Sequence, residues 1–249
     1  MVDDILSIRV LHVCASEDDR TLLREGVGQT SLPLDLCEAE SFAKAGAFLG
    51  RGDIDIVFVD AALAAGDQAR VIEAARSAGN GPLIVLLVTG AGGIRSAADA
   101  TAPKPRNGAE ASVFLNRAAR TRLPCRALVV DDSSAMRTIV RKVLQASRFS
   151  LEVVEADDGE KGLAHIRDEP VDVVFLDYNM PGLNGIATLS ELKRSKPQVD
   201  VVIMTSVDDS GIADRALRAG ASAFLKKPFY PADVDAVLYA RYGLMPCAR

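Results

Sequence analysis

Short apolar runs rich in β-branched residues alternate with longer amphipathic stretches along most of the chain. In the second half the runs predict strands at 126–130, 151–155, 171–176, 199–204 and 222–225. Amphipathic stretches at 134–147, 158–168, 184–195 and 210–219 lie between them, and a last one follows at 231–242. Met136, Ile139, Val140 and Val143 fall at the three-to-four residue spacing of a buried helix face. Strands that are apolar on both faces and separated by helices belong to parallel sheets covered on both sides. The pattern predicts an α/β protein with doubly wound parallel sheets and five strand–helix units in each half.

The halves repeat. Asp177 lies 117 residues after Asp60, and Val174-Phe175-Leu176-Asp177 mirrors Val57-Phe58-Val59-Asp60. The same offset pairs Glu38-Ala39 with Glu155-Ala156, Val10-Leu11 with Ala127-Leu128, and Arg20-Thr21 with Arg137-Thr138. A constant register over this span predicts duplicated domains, residues 1–121 and 122–249, with the seam at Thr121-Arg122-Leu123-Pro124.

Polar residues interrupt the pattern where strands end. The strand at 171–176 delivers Asp177, followed by Tyr178-Asn179-Met180-Pro181-Gly182, and the strand at 126–130 delivers Asp131 and Asp132. Of the other three strands, those at 199–204 and 222–225 lead to Thr205 and to Lys226-Lys227-Pro228. In open α/β sheets these ends border the crevice where ligands bind. Taken singly, an Asp pair after a strand is a helix cap and a Lys-Pro a surface corner; taken together they form a candidate site. A carboxylate can attack phosphorus to give an acyl phosphate. The incoming phosphoryl group then needs a cation, and Mg²⁺ suits the oxygen donors of Asp131, Asp132, Asp177 and the Asn179 carbonyl. Lys227 can offset charge on the phosphoryl group, and Thr205 can hydrogen-bond one of its oxygens.

Bulk properties narrow the partners. A net charge of -5 without a long basic run argues against nucleic acid. No apolar run is long enough to span a membrane, and the acidic start Met1-Val2-Asp3-Asp4 is unlike a secretory signal, so a cytoplasmic protein is expected. Cys14, Cys37, Cys125 and Cys247 show no paired metal-binding spacing, and with only His12 and His165 in the chain a zinc site is not expected. Cys14 and Cys37 read as small buried hydrophobes.

Asp131-Asp132, the Asp177 segment, Thr205 and Lys227-Pro228 closely resemble the receiver domain of bacterial two-component response regulators, of the chemotaxis-regulator type, over residues 125–243. The resemblance implies two flavodoxin-like five-stranded parallel sheets in tandem, with strand order 2-1-3-4-5. It implies that Asp177 accepts phosphate from a histidine kinase or phosphotransfer protein. Asp132, Asp177 and the Asn179 carbonyl would ligate Mg²⁺ with Asp131 close by, and the Lys227–Pro228 bond would be cis. No organic cofactor and no enzymatic turnover are implied, and output would run through a downstream protein or self-association. Phe224 stands where the family carries a switching Tyr or Phe, and Val207 where some members carry a charge.

The first half departs from this pattern. Cys14 and Ala15 replace the acid pair, and Thr89 and Lys104, the expected counterparts of Thr205 and Lys227, are 15 rather than 22 residues apart. Seven residues are thus missing from its fourth helix region, and a degenerate receiver serving as an interaction platform is expected. Two other functions compete. A haloacid-dehalogenase-type phosphatase also uses an Mg²⁺-assisted aspartate, but it needs an acid two residues after the nucleophile, where Asn179 stands. A nucleotide site at Thr89-Gly90-Ala91-Gly92-Gly93 lacks both the dinucleotide glycine spacing and a Walker lysine.

Overall fold

The computed structural model describes residues 7–90, 96–181, 185–207 and 210–247. Gly182 and Ala91-Gly92-Gly93, named above, lie outside the described residues. The chain divides into two compact units, one of residues 1–122 with 242–249 and one of residues 123–241.

In the first unit the chain runs β1 (Ile8–Val13), α1 (Glu17–Val27), β2 (Leu34–Ala39), α2 (Phe42–Leu49), β3 (Ile56–Asp60), α3 (Ala65–Ser77), β4 (Leu83–Val88), β5 (Ala100–Pro103) and α4 (Gly108–Arg120). The five strands are parallel in the order 2-1-3-4-5. The central strands β3 and β4 are buried throughout, as the apolar runs Ile56–Val59 and Leu83–Val88 require. Leu11, Val13, Val57, Val59, Ile84 and Leu86 form the core on one face, with Ala45 and Leu49 of α2 and Val71 and Ile72 of α3. Side chains alternate across a strand, so His12, Cys14, Phe58 and Asp60 point to the other face.

The second unit repeats the plan with β6 (Cys125–Val130), α5 (Ser134–Gln145), β7 (Leu151–Ala156), α6 (Gly159–Asp168), β8 (Val173–Asp177), α7 (Gly185–Ser195), β9 (Asp200–Thr205), α8 (Ser210–Arg218), β10 (Ala223–Lys226) and α9 (Pro231–Arg241). Its strand order is again 2-1-3-4-5. Local chemistry starts the helices: Ser133 accepts from the Met136 amide at 3.3 Å and Asp158 from the Lys161 amide at 2.7 Å. The Lys227–Pro228 peptide is cis.

Three features differ from expectation. Residues after Arg241 leave the second unit, and β11 (Met245–Pro246) pairs antiparallel with β5, adding a sixth strand to the first sheet. Between β4 and β5 the described residues contain no helix, so among them the first unit shows four of its five expected strand–helix pairs. Register also corrects an alignment. Asp60 is paired with Leu87 as Asp177 is with Met204, which puts Val88, not Thr89, in the place of Thr205. Lys104 follows β5 as Lys227 follows β10, so the segment is shorter by six residues, not seven. The hydroxyl of Thr89 drew the sequence alignment one residue past the strand end.

Candidate functional site

Parallel pairing brings the carboxyl ends of β6, β8, β9 and β10 to one edge of the second sheet. Val130 is paired with Leu176, Asp177 with Met204, and Thr205 with Lys226. The next residue of each strand is locked in turn: the amide of Tyr178 donates to the Met204 carbonyl at 2.8 Å and that of Lys227 to the Thr205 carbonyl at 2.7 Å. Asp131 and Asp177 are only 1% and 6% exposed, whereas Asp132 faces solvent.

The Lys227 ammonium donates to Asp131 Oδ2 at 2.7 Å and to Asp177 Oδ1 at 2.8 Å. Asp131 Oδ1 is fixed by the Ser133 amide at 3.0 Å, and the Asp131 carbonyl by Arg137 at 2.8 Å. Among the described residues Asp177 Oδ2 accepts no hydrogen bond. Burial pushes the Asp177 carboxyl above its usual range; the Lys227 ammonium opposes this, and the charges of Asp131 and Asp132 reinforce it. Thr205 Oγ1 accepts from the Val207 amide at 3.1 Å and lies 3.5 Å from Asn179 Nδ2. Ligand oxygens of Asp131, Asp132 and Asp177 all lie within 4.8 Å of one another. Three convergent hard oxygen donors fit a small divalent cation such as Mg²⁺.

Gly185 shapes the loop after Asp177. A Cβ there would come within 2.4 Å of the Asp177 carbonyl oxygen and 2.8 Å of the Tyr178 Cα, so α7 can start against the loop only with glycine. Arg137 and Gly185 escaped the sequence reading. Arg137 had appeared only as a marker of the repeat, although its counterpart Arg20 likewise donates to the carbonyl of Cys14.

The corresponding edge of the first unit keeps a carboxylate, Asp60, and an ammonium, Lys104. Lys104 donates to Asp60 Oδ2 at 2.7 Å and, in place of a strand-end acid, to Asp19 Oδ2 at 2.8 Å. The Cys14 thiol donates to Asp60 Oδ2 at 2.8 Å, and the Ala62 amide to Asp60 Oδ1 at 2.7 Å. Burial raises the Asp60 carboxyl, but the bonds from Cys14, Lys104 and Ala62 outweigh it and hold the group below its usual range. Burial and the neighbouring Asp60 push the Cys14 thiol up to about 12. Asp19 was missed because it sits within the first helical turn, where an acidic residue reads as ordinary dipole compensation.

The sequence pattern of the response regulator receiver domain matches residues 127–239. The chain is 38% identical over 111 residues to the two-component response regulator ORR5 of Oryza sativa subsp. japonica, covering 43% of this chain and 81% of that protein. It is 31% identical over 115 residues to the chemotaxis protein CheY of Bacillus subtilis, covering 46% and 92%. The chain belongs to the response regulator receiver family. A solved two-component system response regulator/GGDEF domain protein, 23% identical, aligns over 95% of this chain and 97% of its own with a TM-score of 0.55, which shows a shared fold. Other relatives are much longer: the match covers only 27% of a protein-glutamate methylesterase/protein-glutamine glutaminase of Rhodospirillum centenum, at 34% identity. Among the described residues no helix is long and apolar enough to cross a membrane.

Proposed function

We propose that the second unit is a phosphoacceptor receiver and the first a degenerate one, so that the protein works as a cytoplasmic two-component response regulator. The observation that carries this reading is the convergence of Asp131, Asp132 and Asp177 with the Lys227 ammonium at one strand edge. In this reading an Asp177 carboxylate oxygen attacks the phosphorus of a phosphohistidine on a histidine kinase or phosphotransfer protein. The P–N bond breaks, the imidazole leaves, and Asp177 carries an acyl phosphate. Asp131, Asp132, Asp177 and the Asn179 carbonyl would hold Mg²⁺, which when bound would neutralise charge on the incoming phosphoryl group. Lys227 turns its ammonium to a phosphoryl oxygen, and Thr205 exchanges its bond from Val207 for one donated to phosphate.

Mg²⁺ titration of the full chain tests the metal half of this proposal. Asp132→Ala should weaken binding by about tenfold or more, while Cys14→Ala should leave it unchanged. Equal losses from both would move the cation to the first unit and sink the assignment.

Output in this reading runs through protein contact, with a downstream partner or a second copy. Phe224, half-buried against the core of the second unit, would repack as Thr205 moves and shift the population between two arrangements of the surface around α8, β10 and α9. Beryllofluoride, which mimics the aspartyl phosphate, should change the sedimentation or small-angle scattering of the wild type, and Thr205→Ala should suppress that change. A wild type that responds in neither measurement would leave phosphorylation to be read by an outside partner alone.

A further inference from the structure

The chain leaves the second unit for the first between two neighbouring residues that are each anchored. Arg241, the last residue of α9, donates to Asp200 Oδ2 at 2.6 Å and to the Asp172 carbonyl at 3.2 Å, which ties the helix end to the amino ends of β8 and β9. Tyr242, the next residue, belongs to the first unit and is only 5% exposed; Leu244 is 1% exposed. Gly243 between them has φ +71°, and there the chain turns from the helix into an extended strap. Beyond it Met245 and Pro246 pair with Thr101 and Ala100 of β5, and the Cys247 amide donates to the Asp99 carbonyl at 3.1 Å.

The core supplies a second, independent observation. Leu11, Val13, Val57 and Val59 line the face that Leu128, Val130, Val174 and Leu176 line in the second unit. There α8 contributes Ala216 to that face, whereas in the first unit the strap's Cys247 packs against it, and between β4 and β5 the described residues contain no helix. Among the described residues nothing pairs with the outer edge of β10, the counterpart of β5. The strap is therefore no part of the repeat. It is a piece of the first unit supplied by the chain beyond the second.

Resting on the assignment of Asp177 as phosphoacceptor, we propose that this strap carries the state of Asp177 to the first unit. The helix that precedes the strap starts at Pro231, four residues after Lys227, whose ammonium lies on Asp177 Oδ1. The strap is docked in the state in which Lys227 holds the unmodified carboxylate. Turning Lys227 to a phosphoryl group therefore shifts the population away from docking. Helices move by about 1–2 Å in such transitions. Arg241 and Tyr242 are joined by one peptide link that fixes their Cα atoms about 3.8 Å apart, so a shift at the end of α9 has no slack to absorb it. On the other side, β5 leads directly into Lys104, which holds Asp60 and Asp19. The first unit thus reports on Asp177 without chemistry of its own.

Alkylation of Cys247 in the full chain, located by peptide mapping, reads the strap, because docking half-buries this thiol. Beryllofluoride with Mg²⁺ should speed it by about tenfold, within the range of about 5–150-fold that coupling between sites spans. Asp177→Asn should remove the acceleration. A flexible four-residue insertion between Arg241 and Tyr242 adds a reach of about 13–14 Å, far more than the helix shift. It should keep the slow basal rate and abolish the acceleration. Leu244→Ala, which removes a buried anchor, should give the fast rate with or without beryllofluoride. Fluorine NMR of bound beryllofluoride shows in the same samples whether the acceptor is loaded. A loaded acceptor with an unchanged Cys247 rate, or an acceleration that persists in the insertion variant, would overturn the strap proposal and leave the acceptor assignment standing. No bound signal, or one retained in Asp177→Asn, would overturn the assignment and the strap proposal with it.

Discussion

Acetyl phosphate with Mg²⁺ should place one phosphoryl group on the wild-type chain, and Asp177→Asn should reduce that label to background. The expectation rests on how differently the two strand-end carboxylates, Asp60 and Asp177, are held. Asp60 has both oxygens engaged, Oδ1 by the Ala62 amide and Oδ2 by Cys14 and Lys104. Asp177 has Oδ1 on Lys227, while Oδ2 accepts nothing among the described residues. A nucleophilic oxygen already carrying two donors must shed them before it can attack. Burial raises the Asp177 carboxyl, Lys227 opposes this and the charges of Asp131 and Asp132 reinforce it, so a divalent cation bound there relieves the repulsion between these carboxylates. Intact-mass spectrometry after short incubation measures the stoichiometry, and borohydride trapping with peptide mapping locates it. Full labelling of Asp177→Asn, mapped to Asp60, would show that the first unit accepts phosphate and would end the division of roles drawn between the two edges.

Most of this edge was legible in the sequence because it depends on period and position. A strand buried on both faces must be apolar, so Asp177 after Val173-Val174-Phe175-Leu176 stood out as misplaced for packing and well placed for chemistry. The repeat was equally plain, since one offset carried through three strands and their connections. Other features have no linear signature. The pairing of Met245–Pro246 with β5 joins residues far apart in sequence, and nothing in a two-residue strand separates it from a loop. Thr89 misled because composition favoured matching a hydroxyl with a hydroxyl, whereas hydrogen-bond register places Val88 at the strand end. Asp19 and His12 stayed hidden for opposite reasons. An acidic residue in a first helical turn is commonplace, and a histidine inside an apolar strand reveals nothing until its buried Nδ1 is seen to lack a partner among the described residues.

Two glycine-to-alanine substitutions in the first unit should move stability in opposite directions, although helix propensity assigns them the same sign. Alanine is favoured over glycine inside a helix by up to about 1 kcal/mol, largely through the unfolded chain. At Gly46, within α2, a Cβ would meet nothing within 4 Å, so Gly46→Ala should stabilise by about 0.5–1 kcal/mol. At Gly26 the same atom would lie 2.6 Å from the Ala111 Cβ, 2.9 Å from the Ala111 carbonyl carbon and 2.9 Å from the Ser112 nitrogen. Two of these are backbone atoms of α4, which cannot yield without moving the helix. That helix is tied to the end of α1 and the loop beyond it. Ser112 Oγ donates to the Gln29 carbonyl at 2.9 Å, and Asn116 Oδ1 accepts from the Ser31 amide at 3.1 Å and its hydroxyl at 2.9 Å. Overpacking of this kind costs about 1–3 kcal/mol, which exceeds the propensity gain. Gly26→Ala should therefore destabilise, and Gly26→Val, the residue the second unit carries at Val143, should cost about 3 kcal/mol or more. Hydrogen exchange of the β1 and β3 amides reads the first unit separately from the second and gives each change as a protection factor. Increased protection in Gly26→Ala would mean that α1 and α4 stand farther apart in solution than the Gly26–Ala111 contact requires.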